Sequence, residues 1–132
     1  MAAARQALGL AETCGATVHA LYVVDTDTSR LAVSKRDVER GLRAVGKHAG
    51  EEALAAFERV ASAYDVPVVT DIGEGSVDEV ILDRAADGDV DLVVMGTRAR
   101  SGVARRVVGS VAERVVRGAS VPVMTVSADS AG

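Results

Sequence analysis

Short runs of apolar, β-branched residues alternate along this chain with longer stretches in which apolar positions recur every three or four residues. Ala2 to Thr13 has the longer period and predicts a helix, stopped at Cys14-Gly15 by a glycine cap. Thr17 to Val24 (TVHALYVV) predicts a strand, closed by the polar cluster Asp25 to Ser29. Ser34 and Asp37 resemble a capping box. Val38, Leu42, Val45, Ala49, Ala53, Ala56, Val60 and Tyr64 then mark the apolar face of one long helix. Val66 to Ile72 predicts a second strand, with Pro67 near its start, and Gly73-Glu74-Gly75 reads as a turn. Ser76 and Glu79 read as a capping box for a helix that buries Val77, Val80, Ile81 and Ala85. Asp91 to Met95 predicts a third strand, apolar on both faces as a central parallel strand would be. A helix capped by Ser110, with Glu113 at its third position, buries Val111, Val115 and Val116, and Val121 to Ser127 predicts the last strand.

Strict alternation of helix and strand implies an α/β fold, a doubly wound, Rossmann-like parallel sheet in a single domain over residues 1–127, with a flexible tail at 128–132. The order opens with a helix, whereas such domains normally open with a strand. The reading therefore expects a start upstream of Met1, and sets it against a natural four-stranded variant.

Composition narrows the classes. With 132 residues, 48% hydrophobic and 26% charged, the chain is neither a disordered tail, a collagen nor a disulfide scaffold. No stretch approaches the roughly 18 apolar residues of a membrane span, and no secretory signal precedes a cleavage site, so no membrane role and a cytoplasmic location are expected. Cys14 is the single cysteine, which excludes an internal disulfide and reads as a small buried residue at a helix end.

A net charge of −4 argues against a nucleic-acid-binding surface. The charge is uneven. Between Gly96 and Gly118, six arginines face one acid, Glu113, so this segment carries +5 and the remainder −9. A cationic segment in an acidic protein favours a small anionic ligand, against the plainer reading of a solvated arginine-rich face.

Two phosphate-loop patterns fail on context. Gly41 to His48 nearly spells the pattern of a phosphate-binding loop, but His48 replaces the hydroxyl residue and the segment lies inside a periodic helix. Gly73 to Asp78 has the strand-to-helix setting of a dinucleotide loop, but a carboxylate stands at the third glycine. His19 and His48 lack partners at metal-ligand spacing, and no nucleophile and base are marked; Asp25 and Asp27 read mainly as turn formers.

The informative stretch is Gly96 to Ser110, from the carboxyl end of a strand to a helix start, and it contains Arg98, Ala99, Arg100, Gly102 and Gly109. Ligands of open parallel sheets sit at such strand ends. Glycines admit a phosphate close to the backbone, and the first helical amides are free donors with a partial positive charge. The segment is an anion cradle in this reading, with Ser110 serving either a phosphate or the cap.

Three stretches, GATVHALYVVD at 15–25, DLVVMGTRARSG at 91–102 and VVGSVAERVVRGASVPVMTV at 107–126, resemble the universal stress protein family, and the resemblance covers nearly the whole chain. It implies an adenine nucleotide alpha hydrolase-like fold. The signature of the family's ATP-binding members, G-x2-G-x9-G-[ST], falls on Gly96, Ala99 and Gly109-Ser110 with its spacing intact. Ala99 departs from the second glycine, and its methyl group narrows the approach of a triphosphate. The resemblance further implies that Val23 offers backbone groups to adenine, that Met95 and Val111 line the pocket, and that the last strand, Val121 to Ser127, pairs with its copy in a homodimer. The family's first strand is central in the order 3-2-1-4-5. Without it the strands at 17–24 and 91–95 each lose a neighbour.

The function expected is a cytoplasmic stress-response regulator that binds ATP, with magnesium, and is not a dedicated enzyme. The alternative is a family member that binds no nucleotide and serves as a dimeric protein-interaction module. Slow ATP hydrolysis is a third reading, with Asp25 as its one named residue.

Overall fold

Four helices and four strands follow one another in strict alternation. The computed structural model of the chain describes residues 1–26, 35–97 and 109–127, and for residues 35–43 the backbone alone. Helix α1 spans Ala2–Cys14, β1 Val18–Asp25, α2 Lys35–Ala61, β2 Val68–Gly75, α3 Val77–Ala85, β3 Val93–Thr97, α4 Ser110–Gly118 and β4 Val123–Ser127. The cap of α2 read at Ser34 and the tail at 128–132 lie outside the described residues. Gly15 ends α1 in the left-handed conformation at φ 69°, and the Ala16 amide returns to the Ala11 carbonyl at 2.9 Å. Cys14 is at the helix end as expected but exposed, because the cap turns it away from the sheet side.

Both ladders are parallel. β1 pairs with β2 from Val18 and Val68 to Asp25 and Gly75, and β3 pairs with β4 from Val93 and Val123 to Thr97 and Ser127. Among the described residues these form two sheets of two strands each, with no ladder between β1 and β3. The missing neighbour expected for these two strands is thus observed as a break in the sheet. Gly73 to Gly75, read as a turn, continue β2 instead, since Val23, Val24 and Asp25 of β1 hold them in register. Pairing with a neighbouring strand overrides the local turn preference of glycine.

Helices cover both faces. α1 and α2 pack together; α2 lies on β1 and β2, and α1 reaches β1, β3 and β4. α3 and α4 pack together beneath, α3 against β1 and β2 and α4 against β3 and β4. The upper core centres on Leu8, at 0% exposure, with Phe57 and Ala61, ringed by Val18, Ala20, Val60, Val66 and Val68. Below, Val115 is fully buried beside Ala112 and Ala85.

Two expected core faces hold in part: Ala49, Ala53, Ala56 and Val60 of α2 are half-buried as expected, and the departures are single positions. On α2 the most buried positions are Gly50, Phe57 and Ala61, while Val45 is 72% exposed. On α4, Ala112 and Val115 point inward and Val116 is 51% exposed, one step of about 100° round the helix from Val115. The α3 and α4 starts also differ from expectation. Ser76 stands at the α3 N-cap without a side-chain cap bond. Gly109 is the N-cap of α4, so Ser110 is already helical and one position too late to cap.

Candidate functional site

Of the residues read as binding groups, the described ones lie toward one end of the layered structure. β1 and β3 carry Val23, Met95 and Gly96 near their carboxyl ends, and α4 starts at the same end because it runs back along β3 and β4. Val23, Met95 and Val111 are half-buried, whereas Gly96 and Ser110 are exposed. Arg98, Ala99, Arg100 and Gly102 lie outside the described residues.

The start of α4 is the most informative geometry. Gly109 is extended at φ −53° and ψ 152°, and its carbonyl accepts the first helical bond from the Glu113 amide at 3.0 Å. The Ser110, Val111 and Ala112 amides precede that bond, so they have no partner within the helix. A glycine cap supplies no side-chain oxygen to them either. No heavy atom of the described residues lies within 4 Å of where a Gly109 side chain would begin. Gly96 is more closely framed, with the Ala3 Cβ at 3.8 Å and the Val126 carbonyl oxygen at 3.9 Å from that point.

Among the described residues, charges on α4 and its neighbours form pairs. Glu113 is engaged by Arg117 at 2.7 Å, and Arg114 lies 3.8 Å from Asp78 of α3. Asp71 of β2 is bonded to Arg84 of α3, and that guanidinium holds its carboxyl below the usual aspartate value. His48 meets Glu52 at 3.0 Å on the exposed face of α2, and His19 is exposed on β1. Gly41 to His48 is helical, as the rejection of a phosphate loop there requires. Among the described residues no cluster of His, Cys, Asp and Glu is arranged to hold a metal.

An open cavity of about 740 Å³ lies between the start of α1 (Ala2, Arg5, Gln6) and Met124, Thr125, Val126 and Ser127 of β4. Its described lining includes none of the residues read as binding groups. Periodicity gave no signal for it, since it arises where the first helix meets the last strand.

Parallel β-α-β layers with an uncapped helix start at the strand ends define a Rossmann-like α/β protein. The universal stress protein family model matches residues 1–127, and the chain belongs to that family. A universal stress protein of Methanocaldococcus jannaschii is 35% identical over 124 residues, which are 94% of this chain and 72% of that protein. The solved universal stress protein UspA from Lactobacillus plantarum is 27% identical, with a TM-score of 0.79 over 95% of this chain and 87% of its own. A universal stress protein crystallised in complex with cAMP is 23% identical, with a TM-score of 0.65 over 94% of this chain and 86% of its own. No helix among the described residues is long and apolar enough to cross a membrane.

Proposed function

We propose that this universal stress protein binds an adenine nucleotide, ATP with magnesium, and acts as a cytoplasmic stress-response regulator, not as a dedicated enzyme. The carrying observation is the start of α4, where no described residue crowds Gly109 and three amides have no helical partner, at the end of the layers where β1 and β3 finish. In this proposal Gly96, Gly109 and Ser110 hold phosphates through backbone and hydroxyl groups, with Ala99 and Gly102 in the same loop and Arg98 and Arg100 adding positive charge. Val23 meets adenine through its backbone, while Met95 and Val111 close the pocket. Support for the ligand class comes from the protein of the same fold solved with cAMP, since the fold there accommodates an adenine nucleotide. The homodimer of the proposal pairs β4 with its copy. The domain of the proposal is residues 1–127, followed by a tail.

The test is calorimetric titration of magnesium and ATP into the native chain and a Gly109→Phe variant. Among the described residues nothing lies within 4 Å of where a Gly109 side chain would begin, and loss of a glycine N-cap costs about 1 kcal/mol or less, so the variant is expected to fold, which its circular dichroism spectrum checks. Binding by the native chain that is lost in the variant supports the proposal, and equal affinity in both overturns it.

A second reading, an interaction module that binds no nucleotide, is favoured by the break between β1 and β3. It predicts no heat with ATP in either protein.

A further inference from the structure

The side of β2 turned away from β1 carries a blocked donor. Val18 donates to the Pro67 carbonyl at 3.0 Å and Thr26 to the Gly75 carbonyl at 3.3 Å, so Val69, Asp71 and Gly73, in step with these two, turn their backbone groups toward β1. Alternate residues of a strand point their N–H and C=O groups to opposite edges. Val68, Thr70, Ile72 and Glu74 therefore direct theirs away from β1, and among the described residues no strand pairs with that edge. Val69, on the same eight-residue strand, is 49% exposed. A long edge with an apolar side chain in water is the kind on which another chain adds as a strand.

The Ile72 amide, midway along this edge, is already engaged. It donates to Oδ1 of the preceding residue, Asp71, at 2.9 Å. The second carboxylate oxygen, Oδ2, accepts from Nη1 of Arg84 on α3. Arg84 is itself seated against the strand, with its Nη2 3.9 Å from the point where a Gly73 side chain would begin, and Gly73 is buried. The two oxygens of one carboxylate therefore join the helix beneath the sheet to the donor at its edge. An amide bonded to a carboxylate is held more strongly than one bonded to a neutral carbonyl, which is what an incoming strand would offer. That strand would also have to lie beside an ionised group, whose desolvation is costly.

We infer that Asp71 guards the outer edge of β2 against pairing with a second copy of this chain. Two copies of the same edge match each other about a two-fold axis, so the excluded contact is β2 against β2. Arg84 is the positioning residue that keeps the carboxylate at the edge. The inference rests on β2 and α3 alone and is independent of nucleotide binding and of the proposed β4 contact.

The test uses the full chain, isotope-labelled, and the variants Asp71→Ala and Arg84→Ala, with circular dichroism to check each fold. Both variants break the same ion pair, but only the first removes the carboxylate from the edge. In the native chain at low concentration, NMR is expected to show the Ile72 amide protected from exchange at least about tenfold more than the Thr70 amide of the same edge. Sedimentation over a range of concentrations is expected to show Asp71→Ala associating at least about tenfold more tightly than the native chain or Arg84→Ala. Exchange at Thr70 and Ile72 of Asp71→Ala should slow together as it associates. Equal protection of the two amides in the native chain overturns the inference, as does association of Asp71→Ala no tighter than native. Equal association of the two variants, or association that leaves Thr70 and Ile72 unprotected, overturns it as well.

Discussion

Gly46 of α2 lies directly over Val24 of β1, so close that a methyl group at residue 46 would overlap the valine Cγ1. One turn on, Gly50 has the same relation to Tyr22, whose Cδ1 would lie 2.7 Å from an added Cβ. The two glycines let a helix of 27 residues settle onto the strand that carries Val23.

Gly46→Ala tests that contact. Alanine gains about 0.5–1 kcal/mol over glycine inside a helix, but overpacking costs about 1–3 kcal/mol. The expected outcome is a net loss of about 1–2 kcal/mol in urea unfolding. Gly9→Ala is the control, since nothing lies within 4 Å of its added Cβ, and it is expected to raise stability by about 0.5–1 kcal/mol.

The order and type of every element were legible in the sequence, because each run of β-branched residues and each three-to-four periodicity was long enough to be distinct. The buried face of α2 was legible only in part, since Ala49, Ala53, Ala56 and Val60 are half-buried while the most buried positions, Gly50, Phe57 and Ala61, were missed. A count of apolar residues selects Val45, whereas the true face uses Gly50, whose burial reflects a close approach that only the assembled layers reveal. The Gly73 to Gly75 turn failed for a related reason, since a ladder with β1 outweighed local preference. At the site, the spacing of Gly96 and Gly109-Ser110 marked both termini of the segment, while assigning the cap to Gly109 and not Ser110 needed the backbone angles.

Leu8 joins α1 to Phe57 and Ala61 of α2 and is fully buried. Leu8→Ala leaves a cavity at the junction of the first two helices and is expected to destabilise the protein by about 2–5 kcal/mol. Thermal or urea unfolding followed by circular dichroism measures it. The equivalent change at exposed Leu10 is expected to have a far smaller effect.

The Asp71 carboxyl, bonded to Arg84, is more acidic in the folded chain than its ordinary value. Such a pair stabilises above the unfolded-state pKa, about 3.9, and its contribution is lost as pH falls through the lower folded-state value. With the side chains 43% and 52% exposed, water and salt screen the pair. Arg84→Ala is therefore expected to lower stability by about 1 kcal/mol or less at neutral pH. The difference from the native chain should vanish in strong acid and shrink with added salt, as unfolding curves at several pH values will show.

On β4 the residues that pair with β3 alternate with those facing outward, and the Val93 bond to Pro122 puts Thr125 among the outward set. Thr125→Pro removes one outward N–H and leaves the β3 ladder intact. If β4 pairs with its copy as proposed, the variant is expected to run as a monomer on a sizing column with an unchanged circular dichroism spectrum. If the native chain runs as a dimer and the variant does too, the contact lies elsewhere.

The most direct test of nucleotide binding is a native mass spectrum of the chain with magnesium and ATP. The account predicts a species heavier by one ATP per subunit. A spectrum that stays free of ligand at saturating ATP would contradict it.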